Sequence, residues 1–372
     1  MSRLVLVSLI GKETILNYRI YTEFEPDLVV HLYSDHTKGE EEILNSLISE
    51  TTKIIPILVN GHDYNQVVEA LINKLEVTTT DYITVNLTGG TKMMALATYA
   101  FVQQSLTNIK KEFCYVGLDQ TIYWFERGER DSFTKSLSLE EFITLSGQKI
   151  LNYAKYSDEM ARLKPAFNQI KKIHKSSLWT AFLKAVLKEI RHLKSLRENR
   201  GVSSKELVKR YAHLWERSEF SLDWRSGHLE ISYSGSSFLD LELSESDIEG
   251  LLFNSGWFEL LVAQRYAKHY DPRQLFLNVK FPVLADLEHE KNEVDLIIND
   301  GNKLIFVECK SGQVTTDNIN TINARKETYG GLISQSILVT KYDLQKYPNA
   351  KSKLIVEKCK DLDIKHIPYF KI

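Results

Sequence analysis

Asn292-Glu-Val-Asp-Leu-Ile-Ile-Asn-Asp-Gly-Asn-Lys-Leu-Ile-Phe-Val-Glu-Cys-Lys310 reads as a β-hairpin. Two apolar, β-branched runs flank Asp300-Gly301, a dipeptide suited to a two-residue turn whose central residues take positive φ. Such a turn pairs Asn299 with Asn302, Asp295 with Phe306 and Val294 with Val307. Paired residues, and residues two apart on a strand, point to one face. Asp295, Glu308 and Lys310 then share a face, and Val294, Leu296, Ile305 and Val307 share the other as a core face. A slip of one residue would break that agreement.

Two carboxylates and an ammonium on a half-buried face are expensive to hold without a purpose. Paired Asp and Glu oxygens suit a hard cation, Mg²⁺ or Mn²⁺, and the Cys309 backbone carbonyl offers a further oxygen. An ion there polarises a phosphoryl oxygen and lowers the pKa of a bound water. Lys310 can orient or deprotonate that water, or offset developing charge. The plainer reading is a surface hairpin with solvated charges, because Glu-x-Lys and single Asp residues are common. Strand context and register favour the chemical reading. A third acid, Glu259, lies in a helical stretch where Gly256, Glu259 and Ala263 fall on one face. Small neighbours let such a helix approach a sheet and aim Glu259 at the site. Arg325 and Lys326 fall on the predicted helix Thr316–Tyr329, where phosphate contact and plain solvation both remain open.

Glu259, Asp295 and Glu308-Cys309-Lys310 resemble the PD-(D/E)xK, restriction-endonuclease-like superfamily, with Val294 in place of its proline. The resemblance implies a nuclease with Asp295 and Glu308 as metal ligands, Lys310 as the catalytic lysine and Glu259 as the helix-borne acid.

Toward the N-terminus the pattern changes. Apolar runs at Leu4–Leu9, Leu28–Tyr33, Ile54–Val59, Tyr82–Leu87 and Phe113–Val116 alternate with helical spacing at Glu41–Ile48, Tyr64–Leu75 and Lys92–Leu106. Strands apolar along most of their length, separated by helices, predict a doubly wound parallel sheet of Rossmann-like type. Ile122–Phe125 adds an edge strand. At Asn86-Leu-Thr-Gly-Gly-Thr-Lys-Met-Met94, Gly89 and Gly90 permit a tight strand-to-helix turn, Thr91 can cap the helix, and Lys92 adds charge where a helix N-terminus already favours an anion. Neither GxxxxGK[ST] nor GxGxxG occurs. A plain helix cap is the alternative.

Thr88-Gly-Gly-Thr-Lys-Met93, together with Ser8-Leu-Ile-Gly11, resembles the CARF domains of CRISPR-associated proteins. That resemblance implies a homodimer binding a cyclic oligoadenylate through Ser8, Leu9, Ile10, Gly11, Thr88, Gly89, Gly90, Thr91, Lys92 and Met93. Thr37 and Lys38, after the second strand, are further candidates. A CARF-like front and a nuclease-like back resemble CRISPR ancillary nucleases. The expected function is therefore a metal-dependent endonuclease of type III CRISPR antiviral defence, switched on by cyclic tetraadenylate. Its expected substrates are single-stranded DNA and RNA, cut with little sequence preference. A ligand-activated nickase of duplex DNA and a ligand-responsive nucleic-acid-binding regulator without cleavage are the alternatives.

The expected organisation is a CARF-like domain over 1–145, a connector with a basic face over 146–245 and the nuclease domain over 246–372. From Lys164 to His213 thirteen Lys and Arg face only Glu189, Glu198 and Glu206, which suits a phosphate-contacting surface as well as a solvated one. A helix capped by Ser246 or Asp247 is expected to run to about Tyr270. Three distant cysteines exclude a disulfide framework and a structural zinc. No stretch is long and apolar enough for a membrane span, so a cytoplasmic protein without a membrane partner is expected.

Overall fold

The computed structural model describes residues 2–187, 206, 219–283, 286–346 and 349–372. Its first part alternates strand and helix: β1 (Leu4–Leu9), α1 (Thr14–Phe24), β2 (Leu28–Tyr33), α2 (Lys38–Leu47), β3 (Lys53–Leu58), α3 (Tyr64–Lys74), β4 (Tyr82–Asn86), α4 (Lys92–Ser105) and β5 (Lys110–Val116). β6 (Thr121–Trp124), β7 (Arg130–Ser132) and α5 (Leu139–Leu145) follow. The sheet order is β3-β2-β1-β4-β5-β6-β7, parallel through β5 and antiparallel beyond. β6 is thus not the edge strand expected of Ile122–Phe125; β7 occupies the edge. The strand order reverses between β1 and β4, which places the switch point of this doubly wound sheet at their carboxyl ends.

The strands are apolar along both faces because both are covered. One face packs Val5, Val7, Val30, Ile57, Ile83 and Val85 against α3 and α4. The other packs Leu6, Val29, Cys114 and Val116 against Ile15 and Leu16 of α1, Leu44 of α2 and Phe142 of α5.

The second part is a six-stranded sheet in the order β16-β15-β14-β13-β12-β8. Its strands are β8 (Asn152–Lys155), β12 (Leu275–Val283), β13 (Asp286–Asn299), β14 (Leu304–Lys310), β15 (Gln335–Thr340) and β16 (Ile364–Pro368). The chain between β8 and β12 holds α6 (Tyr156–Ile173), α7 (Ser177–Phe182), a three-stranded antiparallel sheet of β9 (Phe220–Arg225), β10 (His228–Tyr233) and β11 (Ser236–Glu242), then α8 (Glu245–Ile248) and α9 (Gly256–Tyr266). α10 (Thr316–Gly330) and α11 (Ala350–Asp361) complete this half.

Three expectations change here. The described residues of 146–245 are not a separate connector: β8 pairs with β12, and Phe167, Trp179, Phe220 and Leu239 share one apolar core with Leu277, Leu296 and Val307. Sequence distance conceals such a pairing. The basic residues from Lys188 to Arg210 lie outside the described residues. The single helix expected up to Tyr270 is instead α8, a π-turn over Glu249–Phe253 and α9, broken at Ser255 with φ 73; Ser244 is the cap of α8. The hairpin turn is longer than two residues. Asp300 Oδ1 accepts from the backbone N–H groups of Asn302 and Lys303, at 2.9 and 2.8 Å, a side-chain turn that competes with the two-residue form. Asn299 therefore pairs with Leu304, and Leu296 with Val307. The shift is by two residues, so faces are conserved.

Both halves are joined through α1. Its Ile15, Leu16 and Ile20 belong to a core that continues into Phe276, Ile297, Leu304 and Phe306. Arg19 at its centre, 1% exposed, donates to Asn302 Oδ1 at 2.9 Å, Asn302 O at 3.2 Å, Gly301 O at 3.3 Å, Lys135 O at 3.1 Å and Gln120 Oε1 at 2.5 Å. Its guanidinium also stacks 4.3 Å from the Phe133 ring centroid. A front-domain arginine thus ties down the turn of the β13–β14 hairpin. Arg19→Ala removes the guanidinium from all of these acceptors, of which Asn302 O keeps Gln120 Nε2 and Gly301 O keeps the Leu137 N–H, and opens a cavity, so a loss of roughly 3 kcal/mol is expected in denaturant unfolding. A loss below about 0.5 kcal/mol would show the clamp to be incidental.

Candidate functional site

The β13–β14 pairing ends at Leu296 and Val307, and beyond it the strands border a cavity of about 890 Å³. Asp295 comes from one strand, Glu308, Cys309 and Lys310 from the other, Glu259 from α9 and Arg325 from α10; Glu293, Asn278 and Lys280 complete the polar wall. All four acidic and basic residues expected from sequence converge here. The predicted core face holds for Leu296, Ile305 and Val307 but not for Val294, which packs in the opposite layer with Val279. The alternation breaks at Asn278, whose φ of 50 lies between the pairs Leu277–Leu296 and Val279–Val294. This irregularity sits opposite Asp295, where a β-bulge commonly re-aims side chains.

Asp295 Oδ2 accepts from the Cys309 backbone N–H at 2.7 Å. Lys310 Nζ donates to Glu308 Oε1 at 2.5 Å, and Arg325 Nη1 to Glu308 Oε2 at 2.9 Å. Arg325, left open between phosphate contact and solvation in the sequence, is thus a partner of Glu308. The Asn278 amide, with its nitrogen toward the acids, donates to Glu259 Oε2 at 3.1 Å and Glu293 Oε1 at 3.2 Å. Glu293 went unnoticed in the sequence; its spacing of two from Asp295 was the available signal. Gly256 does not serve the sheet as expected: a Cβ there would meet Gly250 O at 2.8 Å, so it lets α9 close against the preceding π-turn.

Charge crowding is visible in the acidities. Withdrawal from solvent, and then the Glu308 carboxylate, push Asp295 up to about 7. Glu259 is held well above its ordinary 4.5 by withdrawal from solvent and then by Asp295 and Glu293. Withdrawal from solvent opposes the charge on Lys310, yet Asp295 and Glu308 outweigh it and raise its pKa. Among the described residues no three His, Cys, Asp or Glu side chains converge closely enough to hold an ion alone. The donor set fits a hard cation that keeps several waters and takes one or two carboxylates, as Mg²⁺ does.

A second cavity, about 800 Å³, opens at the carboxyl ends of β1 to β4. Of the residues expected there, Ile10, Gly11, Thr37, Gly90 and Thr91 line it. Ser8 and Leu9 are buried inside β1, and Lys38 stands exposed beside Glu42. Thr88 and Gly89 build the loop: Thr88 Oγ1 accepts from Val116 N at 2.8 Å, and a Cβ on Gly89 would fall 2.0 Å from Leu9 O. Thr91 caps α4 by accepting from Met94 N at 3.1 Å, while Lys92 and Met93 are exposed on its first turn. Lys12, His36, Asn60, His62 and Gln66 also line the cavity. The Asn60–His62 loop carries no glycine-lysine signature and was missed for that reason.

Residues 5–142 match the Card1 CARF domain. Residues 255–356 match DUF4143, a domain of unknown function. No curated protein matches the chain. Among solved structures, Can2 from Sulfobacillus thermosulfidooxidans in complex with cyclic tetra-adenylate is 18% identical, with a TM-score of 0.63 over 98% of this chain and 95% of that one. Protein VC1899 from Vibrio cholerae is 14% identical, with a TM-score of 0.67 over 99% and 94%. A type III CRISPR defence DNA nuclease activated by cyclic oligoadenylate is 15% identical, with a TM-score of 0.51 over 92% of this chain but 46% of that one. These likenesses establish a shared fold: a parallel-sheet CARF domain followed by a second α/β domain. Among the described residues no helix is long and apolar enough to cross a membrane.

The acidities set a pH dependence. An acid whose folded pKa lies above its unfolded value favours folding at low pH and loses that contribution as pH rises through the window between them. For Asp295 the window runs from 3.8 to about 7. In EDTA the unfolding midpoint should therefore fall between pH 5 and pH 8 by more in the wild type than in Asp295→Asn, and Mn²⁺ should restore it more at pH 8 than at pH 5. Equal slopes for the two proteins would contradict the assignment.

Proposed function

We propose that the chain is a nuclease whose CARF domain binds a cyclic oligoadenylate, and that this binding switches on phosphodiester hydrolysis at Asp295, Glu308 and Lys310. The observation that carries the reading is the recessed cluster itself, with Glu259, Asp295 and Glu308 around an ammonium in a cavity open to substrate. Such crowding raises the energy of the empty site and is the pattern expected where a cation and a phosphate are to be received.

Asp295, Glu308 and the Cys309 carbonyl would hold Mg²⁺ or Mn²⁺, with Glu259 near enough in charge to contribute. The bound ion would supply Lewis-acid polarisation of the phosphoryl oxygen and acidify water. Lys310, kept as an ammonium by Asp295 and Glu308, is suited to orient the attacking water and offset phosphoryl charge rather than to remove a proton. Glu259, which binds a proton more readily than an ordinary glutamate, is placed to accept one. Arg325 holds Glu308 Oε2 from α10 and keeps that carboxylate aimed at the cleft.

At the front cavity the ligand's phosphates would meet the Gly89–Thr91 loop, the start of α4 and Lys92. The Can2 complex with cyclic tetra-adenylate, alike in fold, supports that ligand class. The exposed Met93, Leu96 and Tyr99 of α4 support a homodimer built beside the cavity. Ligand binding acts through α1: Lys12, two residues before the helix, lines the cavity, and Arg19 within the helix grips the hairpin that bears Asp295 and Glu308. The setting implied is type III CRISPR antiviral defence.

The test is a labelled single strand with Mn²⁺, with and without cyclic tetraadenylate. Cleavage should appear only with the ligand. Glu308→Ala should lower it at least about 100-fold while leaving ligand affinity within about twofold. Ligand-independent cleavage would remove the switch, and absence of cleavage under every condition would remove the nuclease.

A further inference from the structure

Beside the catalytic cavity lies another, of about 600 Å³, that shares the wall Ser311–Gly312–Gln313 with it. Its floor is apolar, formed by the buried Val314 and Ile355 with Leu344. Its rim carries Lys184, Tyr342 and Lys351. Tyr342 is 54% exposed, a large ring left in water at the mouth of an apolar hollow. The Lys341 ammonium, 5.4 Å from the ring centroid, stands over one face of it, and Thr340 Oγ1 donates to Tyr342 O at 2.7 Å and fixes the backbone. Lys184 and Lys351 are exposed and pair with no carboxylate among the described residues.

An apolar floor, a presented aromatic ring and unpaired cations form the combination that receives a nucleobase and its flanking phosphates. We propose that this hollow holds an unstacked base of the strand being cut, stacked on Tyr342, with Lys184 and Lys351 on the neighbouring phosphates. The proposal rests on the nuclease reading above and sharpens it. A base enters such a hollow only when free of its own stack and partner, so the substrate class is single-stranded nucleic acid rather than duplex. The shared wall puts the base at a fixed offset from the scissile phosphate. Contacts to the ring face and the backbone read no base edge, so DNA and RNA both qualify and sequence preference is weak.

The experiment is an abasic scan with the full chain and its activator. A single-stranded oligonucleotide carries one abasic site at successive positions, and the cleavage pattern is mapped for the wild type and for Tyr342→Ala and Tyr342→Phe. The wild type should lose cutting about tenfold at one fixed offset from the abasic site. Tyr342→Phe should behave likewise, and Tyr342→Ala should be slow on the intact strand with no further loss at that offset. A uniform abasic profile, or unchanged KM in Tyr342→Ala, overturns the proposal. Fluorescence anisotropy on the Glu308→Ala background separates the pocket from the chemistry. Tyr342→Ala should weaken single-strand binding about tenfold, and Lys184→Glu and Lys351→Glu should each lower the salt slope by about 0.7. If the wild type never cleaves but these binding losses appear, the nuclease reading fails and the strand pocket stands. If cleavage proceeds without them, or duplex binds more tightly than single strand, the pocket fails alone.

Discussion

One helix, α1, contributes its buried apolar residues to a core that both sheets share. Its residues Ile15, Leu16 and Ile20 are part of a core that runs from Leu6 and Val29 of the front sheet to Ile297 and Phe306 of the rear one. Interiors packed at this density do not deform continuously and so transmit displacement. Arg19 adds direction to that coupling, since a buried guanidinium must keep donors and acceptors matched. Its acceptors include Gly301 and Asn302, the turn of the hairpin that carries Asp295 at one end and Glu308 at the other. The placement of the carboxylates is therefore tied to the domain that lines the other cavity.

The cleft brings Glu259, Glu293, Asp295 and Glu308 together with Lys280, Lys310 and Arg325. In water such a grouping would spread apart, and here the backbone prevents it. Glu308 satisfies both oxygens with cations, while Asp295 and Glu259 are left with a backbone N–H and an amide respectively. Withdrawal from solvent first, and then the neighbouring carboxylates, push Asp295 and Glu259 upward. Both carboxyl groups border the cavity, where a hard cation is the natural counterion. The hollow beyond Ser311–Gln313 is built differently, with apolar floor and cationic rim. The contrast between an anionic cleft and a hydrophobic hollow next to it matches a polymer with charged linkages and flat, apolar bases.

Much of this was legible from local pattern. The parallel strands of the front domain are apolar on both faces, and their ends fall within a residue or two of the expected bounds for β1 to β4. The hairpin faces were readable because alternation has a period of two. A turn longer by two residues preserved them, although it changed every partner. The break at Asn278 was not readable, because a non-glycine residue at positive φ is dictated by the strands and helix around it. It is the reason Val294 left its expected layer. The contact from Asn17 Nδ2 to the Leu9 carbonyl at 3.0 Å, eight residues back, and the pairing across the long gap between β8 and β12 show the same division at larger scale: the first is local, the second has no local signature.

The sequence by itself determined the parallel strands of the front sheet, the faces of the β13–β14 hairpin, the glycine loop at the end of β4 and the acid–lysine triplet on β14, because each depends on short-range periodicity or on one residue's conformational freedom. Only the tertiary structure decided that Arg325 meets Glu308, that Asn278 bridges Glu259 and Glu293, and that residues 152–182 belong to the rear core. The same holds for Arg19 of the front domain gripping the hairpin. These contacts join residues as much as 283 positions apart. Which pairs form is set by packing of whole faces, and no window of sequence contains both partners.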